Sequence, residues 1–216
     1  MRARVIVVAV VAAIGCVGFA GPANAQMLAV KAGLNNSNMT QDTTFKPDDE
    51  LIASPGFMVG AQIRRAVNRV VELQIEGLFT QKGNSLRNEA DHLDDQIVIN
   101  YLEVPVLARF GVFQWGENTI SIHGGPTFAF SAGTTETNNG REVATGVRLG
   151  ERLPALKLKT FDMGIAIGGQ VELKKLIIGA RYTMGLSNIF ADDPDVFGFS
   201  RMKNTALTVF AGYGLR

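Results

Sequence analysis

The chain has 216 residues, with 21 Lys and Arg set against 20 Asp and Glu, a formal charge of +1. That length suits one domain, and a charge so close to neutral supplies no basic field for nucleic acid. Beyond the first 25 residues no apolar run reaches the ~18 residues of a membrane-spanning helix, so any membrane residence must be by strands.

The first element is a leader. Arg2 and Arg4 precede the apolar run Val5 to Ala13, and Pro22-Ala23-Asn24-Ala25 ends on an A-x-A site. This pattern predicts a secretory signal peptide over residues 1–25, cleaved after Ala25. The alternative is a lipoprotein signal, because Ile14-Gly15-Cys16 resembles the end of a lipobox and would make Cys16 a lipidation site. With the leader removed, Arg2 and Arg4 go and the balance becomes −1; Cys16, the only cysteine, goes too. The exported domain, residues 26–216, must then hold together without a disulfide.

Eight alternating segments follow. Leu28 to Asn35 sets Leu28, Val30, Ala32 and Leu34 against Lys31, Gly33 and Asn35. Phe57 to Arg65 sets Phe57, Val59, Ala61 and Ile63 against Gly60, Gln62 and Arg64. The third places Val71, Leu73, Ile75 and Phe79 opposite Glu72, Gln74, Glu76, Leu78 and Thr80. The fourth, Ile97 to Phe110, divides Leu102, Val104, Val106, Ala108 and Phe110 from Tyr101, Glu103, Pro105, Leu107 and Arg109. Pro105 cannot donate to a ladder and predicts a bulge. The fifth separates Ile120, Ile122, Pro126, Phe128 and Phe130 from Ser121, His123, Gly125, Thr127 and Ser131. Phe161 to Leu173 and Leu176 to Leu186 form a hairpin about Lys174-Lys175, and the eighth segment, Asn204 to Leu215, carries Leu207, Val209, Ala211, Tyr213 and Leu215 on one face. A period of two is the signature of a strand. Opposite the large apolar row of the hairpin stand Gly, Ala, Ser and a few charges, a composition suited to a crowded interior. The apolar row is therefore the outside, and an outside of Ile, Leu, Val, Phe and Met belongs in lipid.

Connection lengths agree with that polarity. The segments at about 36–56, 82–96, 133–157 and 189–202 are long and polar, while those between them are short. Short periplasmic turns alternating with long extracellular loops are a mark of outer-membrane barrels. Asn138-Asn139-Gly140 predicts a hairpin within the longest connection. Aromatic residues fall at two levels, Phe57, Phe79, Phe130 and Phe161 at the outer rim and Phe110, Trp115 and Tyr213 at the inner one, as interfacial girdles do. The fold class predicted is all-β, an eight-stranded antiparallel up-and-down transmembrane β-barrel, closed by pairing the last strand with the first.

Lys31-Ala32-Gly33-Leu34-Asn35, Pro55-Gly56-Phe57-Met58-Val59-Gly60, Gln81-Lys82-Gly83, Tyr101-Leu102-Glu103-Val104-Pro105 and Gly179-Ala180-Arg181-Tyr182 together resemble the outer-membrane β-barrel domain family that includes PorT-like proteins, and more loosely the eight-stranded OmpX/OmpA-type barrels. The resemblance covers nearly all of the exported chain. It implies a fold and a bacterial outer-membrane location, and no single activity.

Inward charges are expected at Lys31, Arg64, Glu72, Glu76, Glu103, Arg109, Asp162, Glu172 and Arg181, with Arg64, Glu72, Arg109 and Glu172 low in the barrel and Glu76 and Glu103 facing at mid-height across Arg181. Two facing carboxylates can form a general acid/base pair. The favoured reading is a salt-bridge plug, since eight strands enclose only enough room for side chains. His123 lies beside Ser121 but faces inward, away from lipid, and His92 has no serine at a defined spacing. The acidic clusters Asp48-Asp49-Glu50, Asp91/Asp94/Asp95 and Asp192-Asp193-Asp195 could hold divalent cations, yet none has an EF-hand spacing. No catalytic, cofactor or metal residue is assigned, and no enzyme activity or cofactor is expected. The expected partners are outer-membrane lipid and lipopolysaccharide, with an extracellular or envelope protein reached through the long loops; no nucleic acid is expected, and the protein is read as a monomer. Two alternatives are a soluble exported lipocalin-like barrel with the apolar rows inside, binding a small apolar ligand, and a lipid-modifying outer-membrane enzyme.

Overall fold

Period-two alternation carries directly into nine strands in the computed structural model, which describes residues 26–41, 49–88, 93–138, 141–143, 159–188 and 202–215. They are β1 (Gln26–Gln41), β2 (Asp49–Ala66), β3 (Val71–Asn88), β4 (Leu93–Trp115), β5 (Asn118–Asn138), β6 (Arg141–Val143), β7 (Phe161–Leu173), β8 (Leu176–Gly185) and β9 (Met202–Gly214). Every pairing is antiparallel between chain neighbours, except that β7 skips β6 to join β5 and β9 closes on β1 from Ala29↔Gly214 to Gln41↔Met202. Eight strands thus form the closed wall, and closure leaves no edge within the bilayer. Among the described residues the short β6 pairs only with β5, with Asn138 opposite Arg141, the hairpin that Asn138-Asn139-Gly140 predicts.

The wall is inside out relative to a soluble protein. Ile165, Ile167, Ile178 and Val209 are 48, 66, 46 and 57% exposed, whereas Glu76 and Arg181 are 0 and 4% exposed. The lipocalin-like reading needs the reverse arrangement, and this geometry overturns it. Aromatic contacts gather at the two expected levels: Phe57 with Phe79 at 5.8 Å and Phe130 with Phe161 at 5.3 Å near one rim, Phe113 stacked on Trp115 at 5.6 Å near the other.

Each tight turn has a local cause. The Asn68 side-chain oxygen accepts from the Val70 and Val71 amides at 2.9 and 2.8 Å, an Asx turn closing β2 onto β3. Gly116 turns β4 into β5 at φ 57°, a left-handed conformation that glycine adopts without steric cost. Lys174 takes the same φ between β7 and β8, its amide donating to the Asn118 side chain at 3.1 Å.

At the opposite end the strands run further than their alternation predicts. Residues expected to be loop, 36–41, 49–56, 82–88 and 93–96, are strand. At ~3.4 Å per residue the 23 residues of β4 reach roughly 75 Å, and even tilted by ~40° they exceed the apolar band of ~25 Å about twofold. Polar sequence hid this, because a strand standing in water need not alternate. By contrast β7 has 13 residues and β8 has 10, little more than a crossing requires. Pro105, expected at a bulge, causes none: the β3–β4 register is the same at Ile75↔Val106 and Leu78↔Glu103, and Pro105 lies in the break between those pairs. The register shifts of β4 fall instead at Asn100/Tyr101 and Gly111/Phe113. The predicted leader, residues 1–25 with Cys16, lies outside the described residues.

Candidate functional site

Alternation along every strand sends one row of side chains to the axis, so the interior is decided by the polar rows. Ten ionic side chains meet there among the described residues: Lys31, Arg64, Lys82, Arg109 and Arg181 against Glu72, Glu76, Glu103, Asp162 and Glu172. The signs balance. They are arranged at three heights.

Nearest the short turns, Arg64 of β2 donates to Glu172 of β7, and Arg109 of β4 pairs with both Glu72 and Glu172, the latter at 2.9 Å. Gln170 donates to Glu172 at 2.7 Å, and Arg109 Nε donates to the Ser121 hydroxyl at 2.9 Å. This is the low cluster that the strand directions predict. At mid-height Glu76 of β3 accepts from Arg181 of β8 through both oxygens, at 2.8 and 2.6 Å, and from Lys31 at 2.9 Å. Gln74 donates to the same carboxylate. The Lys31 ammonium lies 3.8 Å from the centre of the Phe210 ring, with the Arg181 guanidinium 5.6 Å from it on a cation–π contact. Higher still, the Asn204 amide of β9 donates at 3.1 Å to the Tyr101 hydroxyl of β4 and at 3.1 Å to Asp162 of β7. Lys82 pairs there with Glu103 at 3.2 Å.

Around the barrel the order is β1, β2, β3, β4, β5, β7, β8, β9. The contacts β2–β7, β3–β8 and β4–β9 therefore each join strands four places apart, across a full diameter. Three bars cross the lumen, each displaced one strand from the bar below. A small apolar cluster of Ala29, Met58, Leu78, Ile177 and Phe210 packs inside the wall beside them. Gly168 makes room for His123: a Cβ there would lie 2.7 Å from the imidazole Nε2.

Several expected groupings are rearranged. Arg181 does not bridge Glu76 and Glu103; Glu76 takes Arg181 and Lys31, while Glu103 takes Lys82. The pairing was hidden because Lys82 belongs to the extended part of β3, not to a loop. Phe210 and Met58 also point inward although they are large and apolar, and only their parity on β9 and β2 signals it. Ser121 and His123 are both buried, each bonded to an arginine: Ser121 receives from Arg109, and His123 Nε2 receives from Arg181 Nε at 3.4 Å. Of the acidic clusters, Asp49, Glu50, Asp94 and Asp95 fall within β2 and β4, and Asp48, Asp91, Asp192, Asp193 and Asp195 lie outside the described residues, as does His92. Replacing Glu103 with Gln strands Lys82 and is expected to cost ~2 kcal/mol without opening an ion path. Urea unfolding in detergent reads the first effect and bilayer conductance the second; a new conductance would mean that the interior is not a plug.

The barrel is similar to several solved outer-membrane proteins. It shares 11% identity with the crystal structure of OprG from Pseudomonas aeruginosa, at a TM-score of 0.47 over 89% of this chain and 96% of that one. Neisserial surface protein A, NspA, gives 8% and 0.46 over 86% and 96%. Ail, the attachment invasion locus protein of Yersinia pestis, in complex with the heparin analogue sucrose octasulfate, gives 14% and 0.43 over 88% and 99%. No curated protein matches the sequence significantly. Residues 21–191 match the family described as outer membrane protein beta-barrel domain. With a closed eight-stranded wall, an apolar exterior and most of its length matched, the chain belongs to that outer-membrane β-barrel family of bacteria.

Proposed function

We propose that this barrel is a closed scaffold of the outer membrane: it anchors and holds apart the strands and loops that stand outside, where they contact other molecules, and it neither conducts bulk solute nor catalyses a reaction. One observation carries the reading. Arg64–Glu172, Glu76–Arg181 and Tyr101–Asn204 cross the lumen at successive heights, and an eight-stranded wall leaves no room for a water column running past all three from end to end. The length of β2 to β5 supports the outward role, since strands continued so far beyond the bilayer serve nothing within it. Lipid and lipopolysaccharide surround the barrel in this reading, the extended strands and loops meet an extracellular or envelope protein, and the barrel works as a monomer.

Planar-bilayer recording of the refolded protein tests the closed lumen. The expected trace lacks the large, stable steps of a porin, and such steps would refute the scaffold reading. External protease on intact cells should cut within 139–160 or 189–201 and leave a membrane-embedded core; cleavage only after lysis would place the long connections on the wrong side.

A further inference from the structure

We propose that the outer part of the lumen, above the Glu76–Arg181 bar, is a binding cup for a small organic cation, an amine whose ammonium group is held by Asp162. Of the five lumen carboxylates, Glu72, Glu76, Glu103 and Glu172 each have a cation within ion-pair distance. Asp162 has none among the described residues, although it is only 6% exposed. Its oxygens accept from uncharged donors, Ser187 Oγ at 2.7 Å and Asn204 Nδ2 at 3.1 Å. A carboxylate so far from bulk water is costly unless a positive charge comes to it. Among the described residues the local sum of Lys82, Glu103 and Asp162 is one negative charge, the complement of one ammonium group.

The walls match that ligand. Tyr101 shares the Asn204 amide with Asp162, which brings an aromatic ring beside the carboxylate; the Lys82 ammonium, 5.7 Å from the ring centre, already takes a face of that ring, so the charge of the amine rests on Asp162. Further down, both polar atoms of the Asn35 side chain and the Thr80 hydroxyl are buried and take no protein partner among the described residues. Each residue is 3% exposed. Thr80 is the cross-strand neighbour of Tyr101, and Asn35 that of Thr208 on β9, so both stand on the inward rows that line the cup. Gly56 is part of the same construction: a Cβ there would come 2.5 Å from the Asn35 oxygen. These groups can accept and donate to the polar remainder of an amine whose charged end lies at Asp162. The Glu76–Arg181 bar forms the floor, so a ligand enters and leaves by the outer end alone.

The test uses three probes of equal chain length, 1,4-diaminobutane, 1,4-butanediol and succinate, titrated into the full barrel refolded in detergent while backbone amide resonances are followed. The diamine is expected to give saturable shifts at Asn35, Thr80, Tyr101, Asp162 and Asn204, and the diol and diacid none. Asp162→Asn should weaken the diamine by roughly tenfold or more, the loss of one charge-assisted hydrogen bond, while Glu117→Gln at the opposite end leaves it unchanged. Equal binding of diamine and diol, or undiminished binding by Asp162→Asn, overturns the proposal. If that variant does not give the heat-modifiable folded form, the wild-type map decides: shifts confined to residues 42–48 and 189–201 mean adventitious attraction to the aspartates there and refute the cup. Absent porin-sized conductance leaves this test untouched, so the cup and the closed scaffold stand or fall separately.

Discussion

Glu76→Gln is expected to destabilise the folded barrel by about 3–5 kcal/mol, the range found when one partner of a buried ion pair is removed. The substitution keeps the shape and deletes the charge, leaving Lys31 and Arg181 facing each other where both are almost wholly shielded from water. Removing one of the stranded cations should restore part of the loss, so Lys31→Met combined with Glu76→Gln is expected to be more stable than Glu76→Gln alone. Lys31 is the one to remove, because a thioether can rest on the Phe210 ring that now carries the ammonium. Urea unfolding in detergent, read by the shift between folded and unfolded electrophoretic mobility, measures both variants. Strict additivity of the two substitutions would mean that Lys31 and Glu76 are not coupled.

Arginine on the lipid face should cost according to depth. Ile167 is the middle residue of β7 and 66% exposed, so Ile167→Arg carries the full midplane penalty of roughly 2–4 kcal/mol. Ile178 belongs to the same apolar surface but lies only two residues above the end of β8 at the Lys174-Lys175 turn. There the cost falls toward about 0–1 kcal/mol, because the long side chain reaches the phosphates. Yield of folded protein in vesicles should follow the order wild type, Ile178→Arg, Ile167→Arg. Equal effects would show that the apolar rows do not face a bilayer.

Much of this architecture is legible in the residues themselves. Wherever one face meets lipid and the other meets packed charge, the two rows differ so sharply that the inward positions of Arg64, Glu72, Arg109 and Glu172 follow from parity and strand direction alone. What escapes is of two kinds. Strand length above the bilayer is not written as alternation, since a wall wetted outside has no reason to separate Gln81 from Lys82 or Asn100 from Ile99; the Lys82–Glu103 pair was lost with it. The second kind is relational. That Tyr101 meets Asn204 depends on the tilt of the wall, a global quantity fixed only when β9 finds its register on β1.

Every bar has one end on β1 to β4 and the other on β7 to β9. A chain half assembled therefore carries stranded ions: residues 26–115 hold Lys31, Arg64, Lys82 and Arg109 with Glu72, Glu76 and Glu103, one positive charge in excess, and the later residues hold Arg181 with Asp162 and Glu172, one negative in excess. Neither portion can neutralise its own axis, and both can once they meet. Sealing of the β1–β9 seam and formation of the three bars are consequently a single cooperative event, and two fragments separated at the Gly116-Glu117 turn should seek each other out in the membrane and not fold apart.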